Sequence, residues 1–307
     1  MRSVKSSATS SNKGVSSTGR DLITSRVRLA RLVFLAPGLI YIAIFMIIPL
    51  GILIAYTFFT RGTYGGVDFI FTLENYTRAL DWLYLSVLFE SILIAAITTL
   101  LAFLIGFPVA YAVTKLPSNW QNIMLVLIVL PFWSNFLIRT YAWIVLLNTQ
   151  GFLNQGLINL GVLDQPLSLL YNPGAIVLGL LYAYIPLMIL PIYSALVRID
   201  PSLKEAAINL GATSAQAFRQ ITLPLALPGV LVGSIFVFVP SIGNFIVPEL
   251  LGGGKTIMVG NLIRDQFLKA RDWPFGSVLA LSMVLMLLIL FILQAKINRR
   301  VGAGSNG

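Results

Sequence analysis

The chain has 307 residues, 57% of them hydrophobic and only 10% charged, with 21 Lys and Arg against 11 Asp and Glu for a formal charge of +10. A soluble domain carries roughly a quarter charged residues, so this composition cannot cover a water-facing surface and places the chain among integral membrane proteins. Cys and His are both absent, which removes disulfides, thiol nucleophiles, His-based acid–base pairs and most zinc or haem ligation.

Residues 1–30 are rich in Ser, Thr, Asn and Gly without an apolar period, and read as a disordered tail. Six apolar stretches follow, near 32–59, 86–114, 121–147, 174–197, 226–248 and 277–295, each long enough to cross a bilayer as a helix. The first is too long for a signal-peptide core and is expected to remain as an anchor. Pro49, Pro108, Pro131, Pro186, Pro191 and Pro240 lie inside these stretches, which is tolerable where neighbouring helices satisfy the freed backbone groups.

Loop charge sets the orientation. With the N-terminus in the cytoplasm, inner segments hold 14 Lys and Arg and outer segments hold six, with Arg139 inside a span. The basic excess therefore favours both termini inside and faces the anionic inner leaflet, so it is not a sign of nucleic acid. The loop 249–276 is the weak point of this count, since it carries four of the six outer cations.

One long polar insertion stands out, DPSLKEAAINLGATSAQAFRQITLPLALPG at 200–229, between the fourth and fifth spans. Asp200 can cap a helix that starts at Pro201, with Ser202 and Glu205 spaced as a capping box. Gly211 suits the left-handed position after that helix. Thr213 and Gln216 form a second box, opening a helix expected to end by Pro224. The Ala207–Gly211 spacing is also one a helix-turn-helix reader uses. That alternative needs a free basic module, whereas this loop is tied at both ends to spans.

Farther on, ELLGGGKT at 249–256 looks like the tail of a nucleotide-binding loop. The first Gly of G-x-x-x-x-G-K-[ST] would fall at Glu249, and no parallel-sheet pattern surrounds it. The stretch also lies on the outer face by the charge count, away from ATP. Its glycines are read as a turn at the mouth of a path.

The insertion carries a family resemblance. Glu205-Ala206-Ala207, three residues, Gly211, nine residues, then Ile221-x-Leu223-Pro224 resembles in full the signature of ABC importer permeases. In that family the loop is a coupling helix seated in a groove of a cytoplasmic ATPase. The resemblance thus implies an ATPase-coupling role for Glu205, Ala206, Ala207, Gly211, Ile221, Leu223 and Pro224. Two further stretches, LPFWSNFLIRTYAWIVLL (130–147) and GNLIRDQFLKARDWPFG (260–276), look like the permeases of spermidine/putrescine-type importers. Permeases for iron, phosphonate and other small solutes are built alike.

The resemblance implies an all-α membrane protein with the type I importer permease fold. It has six transmembrane helices, a permease domain over 31–296 with its coupling loop at 200–224, and a cytoplasmic C-terminal tail at 297–307. It further implies a bacterial inner-membrane subunit without catalysis of its own. Its partners would be a second homologous permease, two copies of a cytoplasmic ABC ATPase that hold ATP and Mg, an external solute-binding protein, and membrane lipid. This chain would bind no cofactor and no nucleic acid.

A polyamine site should combine carboxylates, carbonyl-type acceptors and aromatic faces. Charged groups inside spans are functional candidates, which singles out Glu90; its structural alternative is an ion pair with Arg139. On the third span Trp133 lies too deep for an interfacial belt, with Asn135 beside it, whereas Trp143 suits such a belt. Tyr184 precedes Pro186 on the fourth span. Asn244 and Glu249 sit in the Gly- and Pro-interrupted end of the fifth, the kind of segment that marks transporter sites. The family pattern carries an acidic group where Asn244 stands, a departure that bears on the substrate.

Overall fold

The computed structural model describes residues 34–303, with side chains through 296. The expected disordered tail at 1–30 lies outside the described residues. Two units divide the chain after Leu53. The first holds most of helix α1 (Phe34–Tyr56), an apolar rod with a π-helical turn at Ala43–Ile47.

In the second unit a short hairpin, β1 (Phe59–Arg61) antiparallel to β2 (Val67–Phe71), precedes α2 (Glu74–Ala79) and the long helix α3 (Trp82–Val113). The fold is therefore mostly helical rather than all-α: Phe59–Arg61 pairs with Val67–Phe71 across a turn at Gly65 and Gly66, a hairpin that helical periodicity did not reveal. Then come α4 (Ser118–Trp133), α5 (Phe136–Leu147), α6 (Phe152–Asn159) and α7 (Pro173–Val197). After α8 (Pro201–Asn209), helix α9 (Ser214–Ile242) is continuous, and α10 (Ile246–Gly252), α11 (Val259–Leu268) and α12 (Trp273–Ala303) complete the chain. The last helix runs past residue 296, so the expected tail at 297–307 is helical through 303.

Among the described residues five helices are long and apolar enough to cross a membrane, or six if one bent pair is a single span. That pair corrects the expectation of one helix over 121–147. Ser118–Trp133 and Phe136–Asn159 meet at 88°. Proline at 131 lies near the end of α4. The chain then turns extended at Ser134, and Asn135 caps a new helix by accepting the N–H groups of Leu137 at 2.9 Å and Ile138 at 3.3 Å. A cap in mid-span is a helix start, and it stops the first helix from continuing.

The core is a three-helix packing of α3, α7 and α9. Phe107, Met188, Ile192, Val230 and Val237 fill it. Backbones approach closely at Gly229 and Gly233 of α9. A Cβ on Gly233 would lie 2.9 Å from the Met188 sulfur, and one on Gly229 would lie 2.6 Å from the Pro191 carbonyl oxygen. Small residues at such crossings let apolar helices gain dispersion contacts where lipid supplies no hydrophobic drive.

Two π-turns share one cause. Ala43–Ile47 ends two residues before Pro49, and Phe218–Thr222 ends two residues before Pro224. Proline lacks an N–H and crowds the carbonyl four residues back. Widening the preceding turn, as in the Leu223 N–H bond to Phe218 O five residues back, lets the helix pass the proline without a stop. The helix opened at Thr213 was expected to end by Pro224 and instead continues into the fifth span.

Candidate functional site

Two regions carry the candidates, one at the coupling loop and one at the opposite end of the spans. In the loop, Asp200 caps α8 by accepting the Ser202 N–H at 2.9 Å, with Pro201 at the first helical position. This bond and the Ser202 hydroxyl hold the Asp200 carboxyl below its ordinary range. Ser202 lies inside the helix, so the expected Ser202–Glu205 capping box does not form. Asp200 has already taken the N–H that box would serve. The second box is present: Thr213 Oγ1 accepts the Gln216 N–H at 3.2 Å and Gln216 Oε1 accepts the Thr213 N–H at 2.8 Å.

Between them Gly211 has φ +91°, with its N–H on Ile208 O at 2.9 Å and the Ala212 N–H on Ala207 O at 3.0 Å. These are the paired bonds of a left-handed helix stop. Glu205, Ala206 and Gly211 are exposed, and Leu210 is 89% exposed at the tip. Phe218 holds the other side down, with its ring 5.8 Å from Phe107 and 5.3 Å from Tyr111 on α3. Ile221 and Leu223 are half-buried behind it. The result is an exposed short helix, with Ala206 and Gly211 on open positions, joined in sequence to α7 and α9.

At the far end, the gap between α9 and α10 is organised by Asn244. Its Nδ2 donates to the Tyr184 hydroxyl at 2.8 Å, and its Oδ1 accepts the Val247 N–H at 2.8 Å. Asn261 of α11 donates to Phe245 O at 2.8 Å, closing the gap from the other side. Tyr184 stacks on Phe136 with centroids 6.5 Å apart. Tyr184, Pro240, Gly243, Asn244, Phe245 and Ile246 bound a cavity of about 270 Å³.

Phe245 links this cavity to an ionic cluster. The Arg264 guanidinium lies 5.5 Å from its ring and pairs with Glu249. Arg264 also donates to Asp265 Oδ1 from Nε at 2.9 Å and Nη2 at 2.7 Å, while Lys269 pairs with Asp265 Oδ2 at 2.9 Å. Burial alone would raise the Asp265 carboxyl, but Lys269 and Arg264 outweigh it and hold it low.

The structure therefore joins Tyr184, Asn244 and Glu249 through Phe245 and Arg264. Trp133 and Asn135 sit instead at the broken span; Trp133 is 78% exposed and the Asn135 acceptor is spent as a cap. Glu90 lies elsewhere again, in a groove that shares no residue with the Tyr184 cavity. It does not pair with Arg139. Arg139 Nη1 donates to Pro131 O at 2.6 Å across the helix break, with its guanidinium 5.6 Å from Phe136 and 5.9 Å from Tyr182. The Pro131 carbonyl, which also accepts the Ser134 N–H at 3.2 Å and hydroxyl at 2.6 Å, takes the cation instead. Sequence reasoning missed Phe245 and Arg264. The signal was present in the many charges of the 249–276 loop, whose cations were counted only for orientation.

The glycines of ELLGGGKT end α10. Gly253 is left-handed at φ +59°, and Leu251 O accepts the Tyr171 N–H at 2.9 Å. This is the expected turn.

Comparison with known proteins agrees with this architecture. Residues 102–303 match the model of the binding-protein-dependent transport system inner membrane component family. The spermidine/putrescine transport system permease protein PotB of Escherichia coli is 40% identical over 265 residues, covering 85% of this chain and 96% of its own. PotB of Haemophilus influenzae is also 40% identical, over 85% of this chain and 93% of its own. Among solved structures, a chain of the bacterial alginate ABC transporter in complex with its alginate pentasaccharide-bound periplasmic protein superposes with TM-score 0.73. It is 17% identical, covering 92% of this chain and 97% of that one, a likeness of fold. The full EAA-type loop, the helical architecture and these matches lead to one conclusion: the chain belongs to the family of binding-protein-dependent transport system inner membrane components, the permease subunits of ABC importers.

Proposed function

We propose that this permease imports polyamines, with spermidine and putrescine as the solute class. It would form half of a translocation path with a second homologous permease. Of two copies of a cytoplasmic ABC ATPase that hold ATP and Mg, one would dock on 200–224 and the other on the second permease. A solute-binding protein would deliver from outside, and both termini would lie in the cytoplasm. The chain itself would catalyse nothing and hold no cofactor.

The observation that carries the reading is the Glu249–Arg264 pair beside Phe245 and the Asn244–Tyr184 cavity. A polyamine ammonium is chemically what Arg264 already presents to Glu249, a cation against a carboxylate next to an aromatic face. An arriving solute can take the Glu249 site while Asp265 keeps Arg264 neutralised, so no bare charge is left. The 270 Å³ cavity is at the small end for a ligand site, as suits half of a site completed by a second subunit. At the other end, the left-handed stop at Gly211 and the Phe218 anchor give the ATPase a rigid handle on α7 and α9. Alternating access then requires the coupling loop and the Asn244 gap to move as parts of the same helices.

The test is uptake by proteoliposomes holding the complete complex. Labelled spermidine should accumulate with ATP inside and loaded binding protein outside, and unlabelled putrescine should compete. If ferric iron or phosphonate competes and polyamines do not, the polyamine reading fails while the permease assignment stands.

A further inference from the structure

Arg139 is a cation inside an apolar span that the proposed path leaves without a role. It lies in the first turn of α5, just past the bend of the third span. Its Nη1 donates to Pro131 O at 2.6 Å, on a carbonyl that Ser134 already shares. Its guanidinium lies 5.6 Å from the Phe136 ring and 5.9 Å from the Tyr182 ring. Among the described residues no carboxylate pairs with it, and its buried Nε meets no acceptor. Two aromatic faces and one shared carbonyl thus carry a full positive charge.

That is more than a brace requires. A neutral amide could donate to Pro131 O as well, without the cost of a half-buried, unpaired cation. What a neutral donor lacks is the field. Phe136 is stacked on Tyr184 with centroids 6.5 Å apart, and Tyr184 bounds the Asn244 cavity. No carboxylate lines that cavity, so nothing in its wall cancels the charge. At an effective dielectric of about 20, unit charges about 10 Å apart lower each other's occupancy on the order of tenfold.

We propose that Arg139 is a specificity-determining residue: its fixed charge bars sodium and potassium ions from the Asn244 cavity, so that a path opened for a polyamine does not leak inorganic cations. The proposal rests on the polyamine reading and adds how the path tells one cation from another. A metal ion entering the cavity exchanges its water for one hydroxyl and one amide, and meets the repulsion with nothing to offset it. A polyamine meets the same repulsion at one ammonium group. Its other ammonium holds Glu249, and its methylenes pack on the Phe245 and Tyr184 rings. A metal ion has neither contact, so the charge discriminates against it.

The test follows labelled sodium influx and spermidine uptake together, in proteoliposomes of the complete complex with ATP inside and loaded binding protein outside. The wild type should import spermidine with sodium influx no higher than in protein-free liposomes. Arg139→Gln keeps a donor for Pro131 O and loses the charge, and its sodium influx during turnover should rise about tenfold. Arg139→Lys keeps the charge without the planar fork and should stay tight. Tyr182→Glu sets a carboxylate beside Arg139 with the Pro131 contact in place. It should leak as Arg139→Gln does, whereas Tyr182→Gln should not. The proposal is overturned if Arg139→Gln and Tyr182→Glu both turn over and stay as tight as the wild type. It is equally overturned if Arg139→Lys leaks as much as Arg139→Gln, the result of a brace alone. A wild-type complex that imports no spermidine contradicts the polyamine reading itself, a failure distinct from a spermidine-competent complex whose variants stay tight.

Discussion

The Asn244 amide donates to the Tyr184 hydroxyl at 2.8 Å and accepts the Val247 N–H at 2.8 Å, so one side chain ties α7 to the gap between α9 and α10. Losing both bonds leaves a half-buried hydroxyl and a helix start short of partners. Asn244→Ala should destabilise the complex by about 1–3 kcal/mol, read as a fall in Tm of the detergent-solubilised assembly. Tyr184→Phe removes one bond and should cost less. An Asn244→Ala complex with unchanged Tm would remove the tie from the account.

Glu249 and Arg264 should act in opposite directions on solute affinity. Glu249→Gln removes the carboxylate that an ammonium would take, and should raise the KM for spermidine uptake about tenfold, as for one charged hydrogen bond. Arg264→Gln frees Glu249 and should lower KM, while ATP hydrolysis loses part of its dependence on loaded binding protein. Equal KM shifts in the same direction would mean that the pair is structural only.

Gly211 is exposed at φ +91°, and a Cβ there would meet nothing within 4 Å. Any penalty for replacing it is therefore backbone strain, about 1–2 kcal/mol for an L-residue in that region. Gly211→Asn, which tolerates the conformation, should keep most of the uptake per ATP hydrolysed. Gly211→Val should lose most of it with the complex still assembled. Comparable losses in the two variants would show that the left-handed stop is irrelevant to coupling.

The Asp200 cap makes the start of α8 acid-sensitive. Its folded-state carboxyl is held low by Ser202, so the stabilisation is present above the unfolded carboxylate pKa. It is lost as pH falls through the folded one. Hydrogen exchange of the Leu203 and Lys204 amides should speed up across that acid window in the wild type. Asp200→Asn, which caps without titrating, should show no such step, and a step persisting in that variant would assign it to another group.

The coupling loop was legible in sequence because its parts are local. Asp200, Pro201, Gly211 and the Thr213–Gln216 box act within a turn or two, and the structure forms them, apart from the Ser202–Glu205 box that Asp200 pre-empts. Most apolar stretches were legible to within a few residues, since apolar length alone defines them, but α9 starts at Ser214 rather than near 226 and ends at Ile242 rather than near 248. The 88° bend between Ser118–Trp133 and Phe136–Asn159 was not legible. Proline is tolerated inside many membrane helices, α7 and α9 among them, and what decides is the Asn135 cap and the Arg139 brace, a contact eight residues away. The cluster around Asn244 was half legible: Tyr184, Asn244 and Glu249 were named one by one. Their meeting through Phe245 and Arg264 depends on how α10 and α11 fold back, which no periodicity reports. Glu90 was singled out as a charge inside an apolar stretch, and its expected alternative, a pair with Arg139, does not form because Pro131 offers Arg139 a nearer acceptor.

The central claim is that a polycation enters beside Glu249 and that its movement is driven from the loop at Gly211. The most direct test measures spermidine uptake and ATP hydrolysis together, in proteoliposomes of the complete complex, for the wild type, Glu249→Gln and Gly211→Val. The account predicts ATP-dependent uptake in the wild type, a raised KM at normal maximal rate in Glu249→Gln, and a collapsed maximal rate at normal KM in Gly211→Val. Uptake that proceeds without ATP, or a Gly211→Val complex that transports at the full rate, would contradict it.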